Sequence, residues 1–82
     1  MPKRERPHLS PAHWRVLERL ARGESDQQIA AALGLPLRTV TDRVGVLYAR
    51  LPLEGAANRR VAAAVWYVRT GRKYHRQVRD DA

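Results

Sequence analysis

Residues 27–51 read QQIAAALGLPLRTVTDRVGVLYARL, and the way this stretch breaks and restarts decides the fold. Ile29, Ala30 and Leu33 stand at i, i+1 and i+4, one apolar face of a short helix. Gly34 follows, where a residue free to take positive φ closes a helix at least cost. A second pattern begins within three residues. Val40, Val44, Leu47 and Leu51 recur at spacings of four, three and four, which at ~100° per residue forms one stripe. Two short helices joined by so tight a turn predict a helix-turn-helix, and the small Ala30 and Ala31 let the pair cross closely.

The flanking sequence extends the series. Ser10 before Pro11 is a capping hydroxyl ahead of a proline at the first helical position, and Trp14, Leu17, Leu20 and Ala21 continue that helix to Gly23. Ser25 with Gln28 three residues on resembles a capping box, so the next helix spans about residues 26–33. Pro36 stands where the third helix would want a Ser or Thr cap, and Leu51-Pro52 ends that helix. After a loop over 52–57, Asn58 caps a fourth helix whose inner stripe is read as Val61, Val65 and Val68, ending at Gly71. Beyond Arg72 a polar segment either extends the last helix or hangs free. No strand-like alternation appears, so the fold class is all-α.

With 82 residues and a net charge of +8, the chain is one small basic domain whose partner is expected to be an anion, nucleic acid first. The charge is uneven: residues 24–51 balance three acids against three arginines. Backbone affinity must therefore come from what surrounds the motif. The candidates are Lys3, Arg4 and Arg6 in an N-terminal arm over 1–8, Arg59 and Arg60 behind the motif, and the basic run from Arg69 to Arg79, with Arg72, Lys73 and Arg76 in a C-terminal tail over 72–82. Plain solubility is the alternative use of such charge. Cysteine is absent, and His8, His13 and His75 are scattered, so no metal and no cofactor is expected. The histidines lack placed carboxylates and no glycine-rich loop could cradle a phosphate, so the chain is not read as an enzyme. No apolar run reaches a membrane span, and no secretion signal precedes the domain, so a cytoplasmic location is expected.

On the third helix, the side opposite Val40 carries Arg38, Thr41, Asp42, Gly45 and Ala49. Arg38 suits a guanine edge or a phosphate, Thr41 a phosphate or a thymine methyl, and Asp42 a cytosine amine. Gly45 and Ala49 would let the helix lie deep in a groove. Phosphate contacts fall to Gln27, Gln28, Thr39, Arg43, Arg50 and Arg59. Three of these have structural alternatives: Gln28 in a cap, Arg50 at the helix C-terminus, Arg59 with Glu54. Trp14 and Tyr48 are read as core, and His13 as packed near it. Ala63, Trp66 and Tyr67 lie away from the valine stripe and are read as an exposed dimer face, unless the tail folds back over Trp66.

These residues resemble a known family. Leu9-Ser10, Val16-Leu17, Leu20-Ala21-x-Gly23, Ile29-Ala30, Leu33-Gly34, Thr39-Val40, Val44, Leu51, Asn58-Arg59 and Ala62 are similar to the LuxR-type (GerE-like) DNA-binding domain over residues 9–71. The resemblance implies four helices, the third in the major groove of promoter DNA and the fourth often dimerising. The chain departs from that pattern at Ala12-His13, at Thr41 and Arg43, and in a loop before Asn58 about three residues longer. Arg43 also resembles region 4 of sigma factors, a more distant likeness. The function expected is a stand-alone transcriptional regulator binding double-stranded DNA as a homodimer. The alternative is a protein-interaction module on the same fold, contacting RNA polymerase or another regulator, which Asp42, Gly45 and the neutral reading unit would suit.

Overall fold

A computed structural model describes residues 7–81. The elements are α1 (Pro11–Ala21), α2 (Asp26–Leu33), α3 (Leu37–Arg50), α4 (Arg59–Trp66), a π-type turn (Tyr67–Gly71) and α5 (Arg72–Asp81). Local chemistry accounts for most boundaries. Ser10 Oγ accepts from the His13 N–H at the start of α1, and Pro11 opens the helix. Ser25 and Gln28 form the full capping box at α2: Ser25 Oγ accepts from the Gln28 N–H at 3.2 Å, and Gln28 Oε1 accepts from the Ser25 N–H at 2.8 Å. Gly34 closes α2 in the left-handed region at φ 66°. Pro36 gives α3 no side-chain cap, and Leu51 turns extended ahead of Pro52.

The core forms around α1, the helix against which α2, α3, α4, the π-type turn and α5 all pack. Trp14, Val16, Leu17 and Leu20 meet Ile29 and Ala30 of α2, and Val40, Val44 and Leu47 of α3, all buried. Leu51 and Leu53 seal the bottom of α3. The expected stripes are buried at Trp14, Leu17, Leu20, Ile29, Ala30, Val40, Val44, Leu47 and Leu51, while Ala21 and Leu33 are half-buried. Val16 is buried outside the expected stripe, and Ala31 is exposed, so the close crossing rests on Ala30 alone.

The fourth helix corrects the sequence reading. Val61, Val65 and Val68, expected inside, are 57%, 43% and 53% exposed. Ala63 and Tyr67, expected on a free dimer face, are buried, and Trp66 is half-buried. Both faces of this helix are apolar, so periodicity cannot choose between them. Burial of an indole and a phenol removes far more area from water than burial of three valines, which settles the rotation. Trp66 stacks on Trp14 with centroids 6.1 Å apart.

Gly71 does not end the helix. A Cβ at this position would collide with the Trp66 ring, so only glycine lets the chain pass here in helical conformation. The inward residues beyond α4 recur every four positions: Trp66, Thr70, Tyr74 and Val78 in one row, Tyr67, Gly71 and His75 in the next. A regular α-helix would drift by about 40° at each such step, and the wider π-type turn absorbs that drift. The segment after Arg72 therefore extends the last helix and returns to the core, where His75 is buried.

Candidate nucleic-acid interface

The helix-turn-helix unit is α2, the Gly34 turn and α3. Val40, Val44 and Leu47 anchor α3 from within, so its other side faces solvent. Arg38, Thr41, Asp42, Gly45 and Ala49 are all exposed there, and nothing lies within 4 Å of where a Gly45 Cβ would be. The five residues selected by rotation share one open face. Leu37, exposed at the start of α3, joins them; as the residue after Pro36 it was readable only as the first helical position.

Around this face the phosphate candidates divide by what already engages them. Gln27 is exposed and Thr39 and Arg43 are half-buried. Gln28 is exposed, with its side-chain oxygen used in the α2 cap. Arg50 donates from Nη1 to the His8 carbonyl at 2.8 Å, tying the entry segment to the end of α3. Arg59 is exposed and, among the described residues, forms no ion pair with Glu54. Its neighbour Arg60, expected with Arg59 among the charges that hold the DNA backbone, is instead engaged within the fold. Its Nη1 donates to Asp26 Oδ1 at 2.9 Å and its Nη2 to the Glu24 carbonyl at 2.8 Å, clamping α4 to the start of α2. No local sequence signal pairs Arg60 with Asp26, because the two are far apart in the chain and Arg22 stands nearer to that carboxylate in sequence.

The basic tail splits in two. Lys73 lines an open groove of about 780 Å³ together with Ala49 and Arg50, at the end of the exposed face of α3. Arg72 and Arg76 line a separate groove of about 380 Å³ with Glu18 and Arg22 of α1. Lys3, Arg4 and Arg6 lie outside the described residues.

His13 of α1 lies within electrostatic reach of two phosphate candidates on α3, Arg50 at its end and Arg43 at its middle. Its Nδ1 meets Ser10 Oγ in a hydrogen bond. Burial first, then the charges of Arg50 and Arg43, hold its pKa below the ordinary 6.5. Among the described residues no cluster of His, Cys, Asp and Glu could hold a metal ion, and no helix is long and apolar enough to cross a membrane.

An apolar-anchored second helix with an open polar face after a left-handed glycine turn defines a helix-turn-helix domain. The family model of bacterial regulatory proteins of the luxR family (GerE) matches residues 7–66, the entry segment through the last residue of α4. The chain belongs to the LuxR family of bacterial regulatory proteins, whose helix-turn-helix domain serves DNA binding and transcription regulation. Neither a curated protein nor a solved structure matches it.

Proposed function

We propose that this chain regulates transcription by laying α3 in the major groove of double-stranded DNA, as a dimer. The observation that carries the reading is the exposed row Arg38, Thr41, Asp42, Gly45 and Ala49 on a helix whose opposite side is the core. Two small residues let the backbone approach the groove floor, and three polar ones can meet base edges. Gln27, Thr39, Arg43, Arg50, Arg59 and Lys73 ring that face as phosphate contacts. The dimer face we assign is Val61, Val65 and Val68, one apolar row open to solvent on α4 and the turn after it.

Fluorescence anisotropy with duplex from the chain's own promoter and with random duplex, at two salt concentrations, tests this. Tighter promoter binding that survives the higher salt supports a sequence reader, and Arg43→Glu with Arg50→Glu abolishes it in a folded protein. Exposed Asp42 favours a second reading, in which the same face meets RNA polymerase or another regulator. Absence of DNA binding at low salt, with the fold intact by circular dichroism, would put that reading first.

A further inference from the structure

Asp26, the first residue of α2, reaches two other helices at once. Its Oδ1 accepts from Arg60 Nη1 of α4 at 2.9 Å, and its Oδ2 accepts from Thr41 Oγ1 of α3 at 3.3 Å. Arg60 is itself held by the Glu24 carbonyl, so the carboxylate is fixed in place from behind. An ionised carboxylate has no proton to give, so the threonine is the donor. A threonine hydroxyl carries one proton, and in this structure it is engaged toward α2.

The consequence falls on what Thr41 can offer DNA. Phosphate oxygens only accept, as do N7 and O6 of guanine, N7 of adenine and O4 of thymine. A hydroxyl whose proton is engaged elsewhere has nothing to donate to any of them, and can only accept, from the amino groups of adenine or cytosine. The other branch at Cβ is a methyl group, diverging from the oxygen that Asp26 holds. Thr41 is exposed beside Gly45, which has no side chain to keep a base edge away. The only apolar group on the base edges of the major groove is the thymine C5 methyl, and a threonine methyl packs on it.

Resting on the reading of α3 as the groove helix, we infer that Thr41 reads thymine through its methyl group, with Asp26 and Arg60 as positioning residues that turn its hydroxyl away from the DNA. Thr41 is thereby a specificity residue for one thymine in each half-site. Asp26 is kept from repelling the phosphates by the guanidinium paired with it.

The test begins with selection of bound duplexes from a random pool by the full chain. In the best duplex, each thymine is then replaced singly by deoxyuridine, which lacks the methyl and keeps every hydrogen-bonding group. At one position per half-site, binding by anisotropy is expected to weaken about fourfold, the factor for one buried methyl-sized group. Thr41→Ser should weaken binding to the thymine duplex by the same factor and remove the difference between thymine and deoxyuridine there. Thr41→Val keeps both the affinity and the difference. Asp26→Ala should bring the thymine-to-deoxyuridine ratio toward one without loss of fold, and Asp26→Glu should restore it. Equal binding of thymine and deoxyuridine duplexes at every position would overturn the inference. So would a loss of affinity in Thr41→Val that Thr41→Ser does not share, because the hydroxyl would then be the reader. Failure of the selection to enrich any sequence is a different result, which would overturn the groove reading of α3 and the inference with it.

Discussion

The imidazole of His75 stacks on the indole of Trp14, ring centroids 5.4 Å apart and 13° from parallel, and so fastens the last helix to the first. The same imidazole shares a hydrogen bond of 2.7 Å between its Nδ1 and the Tyr67 hydroxyl, and Trp66 also stacks on Trp14. The family match ends at residue 66, whereas the core continues beyond it through these rings. The segment after Gly71 therefore carries stability as well as charge.

His75→Ala is accordingly expected to cost about 2 kcal/mol, from lost ring packing and a Tyr67 hydroxyl left with one hydrogen bond fewer. In a domain of this size that is a fall in Tm of roughly 10 °C, read by circular dichroism. Trp66→Glu should destabilise by about 3 kcal/mol, since it places a carboxylate against Trp14. An unchanged Tm in His75→Ala would mean that α5 does not pack as described, and an unchanged Tm in Trp66→Glu would say the same of α4. Truncation after Arg72 is a poor probe of electrostatics for the same reason; Lys73→Glu reverses the charge and leaves the core alone.

Val65→Glu separates the two faces of α4. Val65 is exposed, so the folded domain should survive the change with a Tm within a few degrees of the parent. Sedimentation velocity should then show a monomer where the parent is a dimer. A dimer that persists in Val65→Glu, with Val61→Glu and Val68→Glu also dimeric, would remove this face from the interface.

The parts legible in the sequence are those where one face is apolar and the other polar. Val40, Val44 and Leu47 on α3, opposite Arg38, Thr41 and Asp42, leave one way to bury the helix, and both core and open face followed from it. The Ser25–Gln28 box and Gly34 marked the ends of α2 by chemistry local to a few residues. The fourth helix offered no such asymmetry. Val61, Val65 and Val68 match a helical stripe as well as Ala63, Trp66 and Tyr67 do, and the choice came from ring area and from the presence of Trp14 across the core. Gly71 misled in a related way. Glycine at a helix end is usually a terminator, but here it makes room for the Trp66 ring, a contact invisible until the rotation of α4 is known. The clamping role of Arg60 was hidden because its partners, Asp26 and the Glu24 carbonyl, are more than thirty residues away in the chain.

Adjacent arginines should behave in opposite ways. Arg60→Ala removes a partly exposed ion pair and a hydrogen bond to a backbone carbonyl, a loss of about 1 kcal/mol once solvent screening is allowed for. It also leaves Asp26 uncompensated beside α3, so DNA affinity should fall as well. Arg59→Ala should leave the Tm unchanged, because this exposed side chain has no hydrogen bond or ion pair among the described residues. Its effect should be confined to DNA, with affinity lowered on all sequences and the salt slope reduced by about one. Thermal unfolding and anisotropy at several salt concentrations check both. A loss of stability in Arg59→Ala equal to that in Arg60→Ala would contradict the division of roles.

His13 makes stability and DNA binding respond to pH in opposite directions. In the folded protein its pKa is held below 6.5 by burial and by Arg50 and Arg43, so the unfolded chain takes up a proton at a pH where the folded one does not. The stabilisation of the neutral form is complete above about 6.5 and is lost as the pH falls below it toward the folded value. A phosphate seated on Arg43 and Arg50 would oppose the two charges that disfavour the imidazolium. Binding then raises the His13 pKa and draws in a proton, so DNA affinity should increase as the pH is lowered from about 7.5 to about 6 while the Tm of the free protein falls. His13→Gln should flatten both trends. A pH dependence of affinity that persists in His13→Gln would show that the proton enters elsewhere, and that the phosphate does not rest on Arg43 and Arg50.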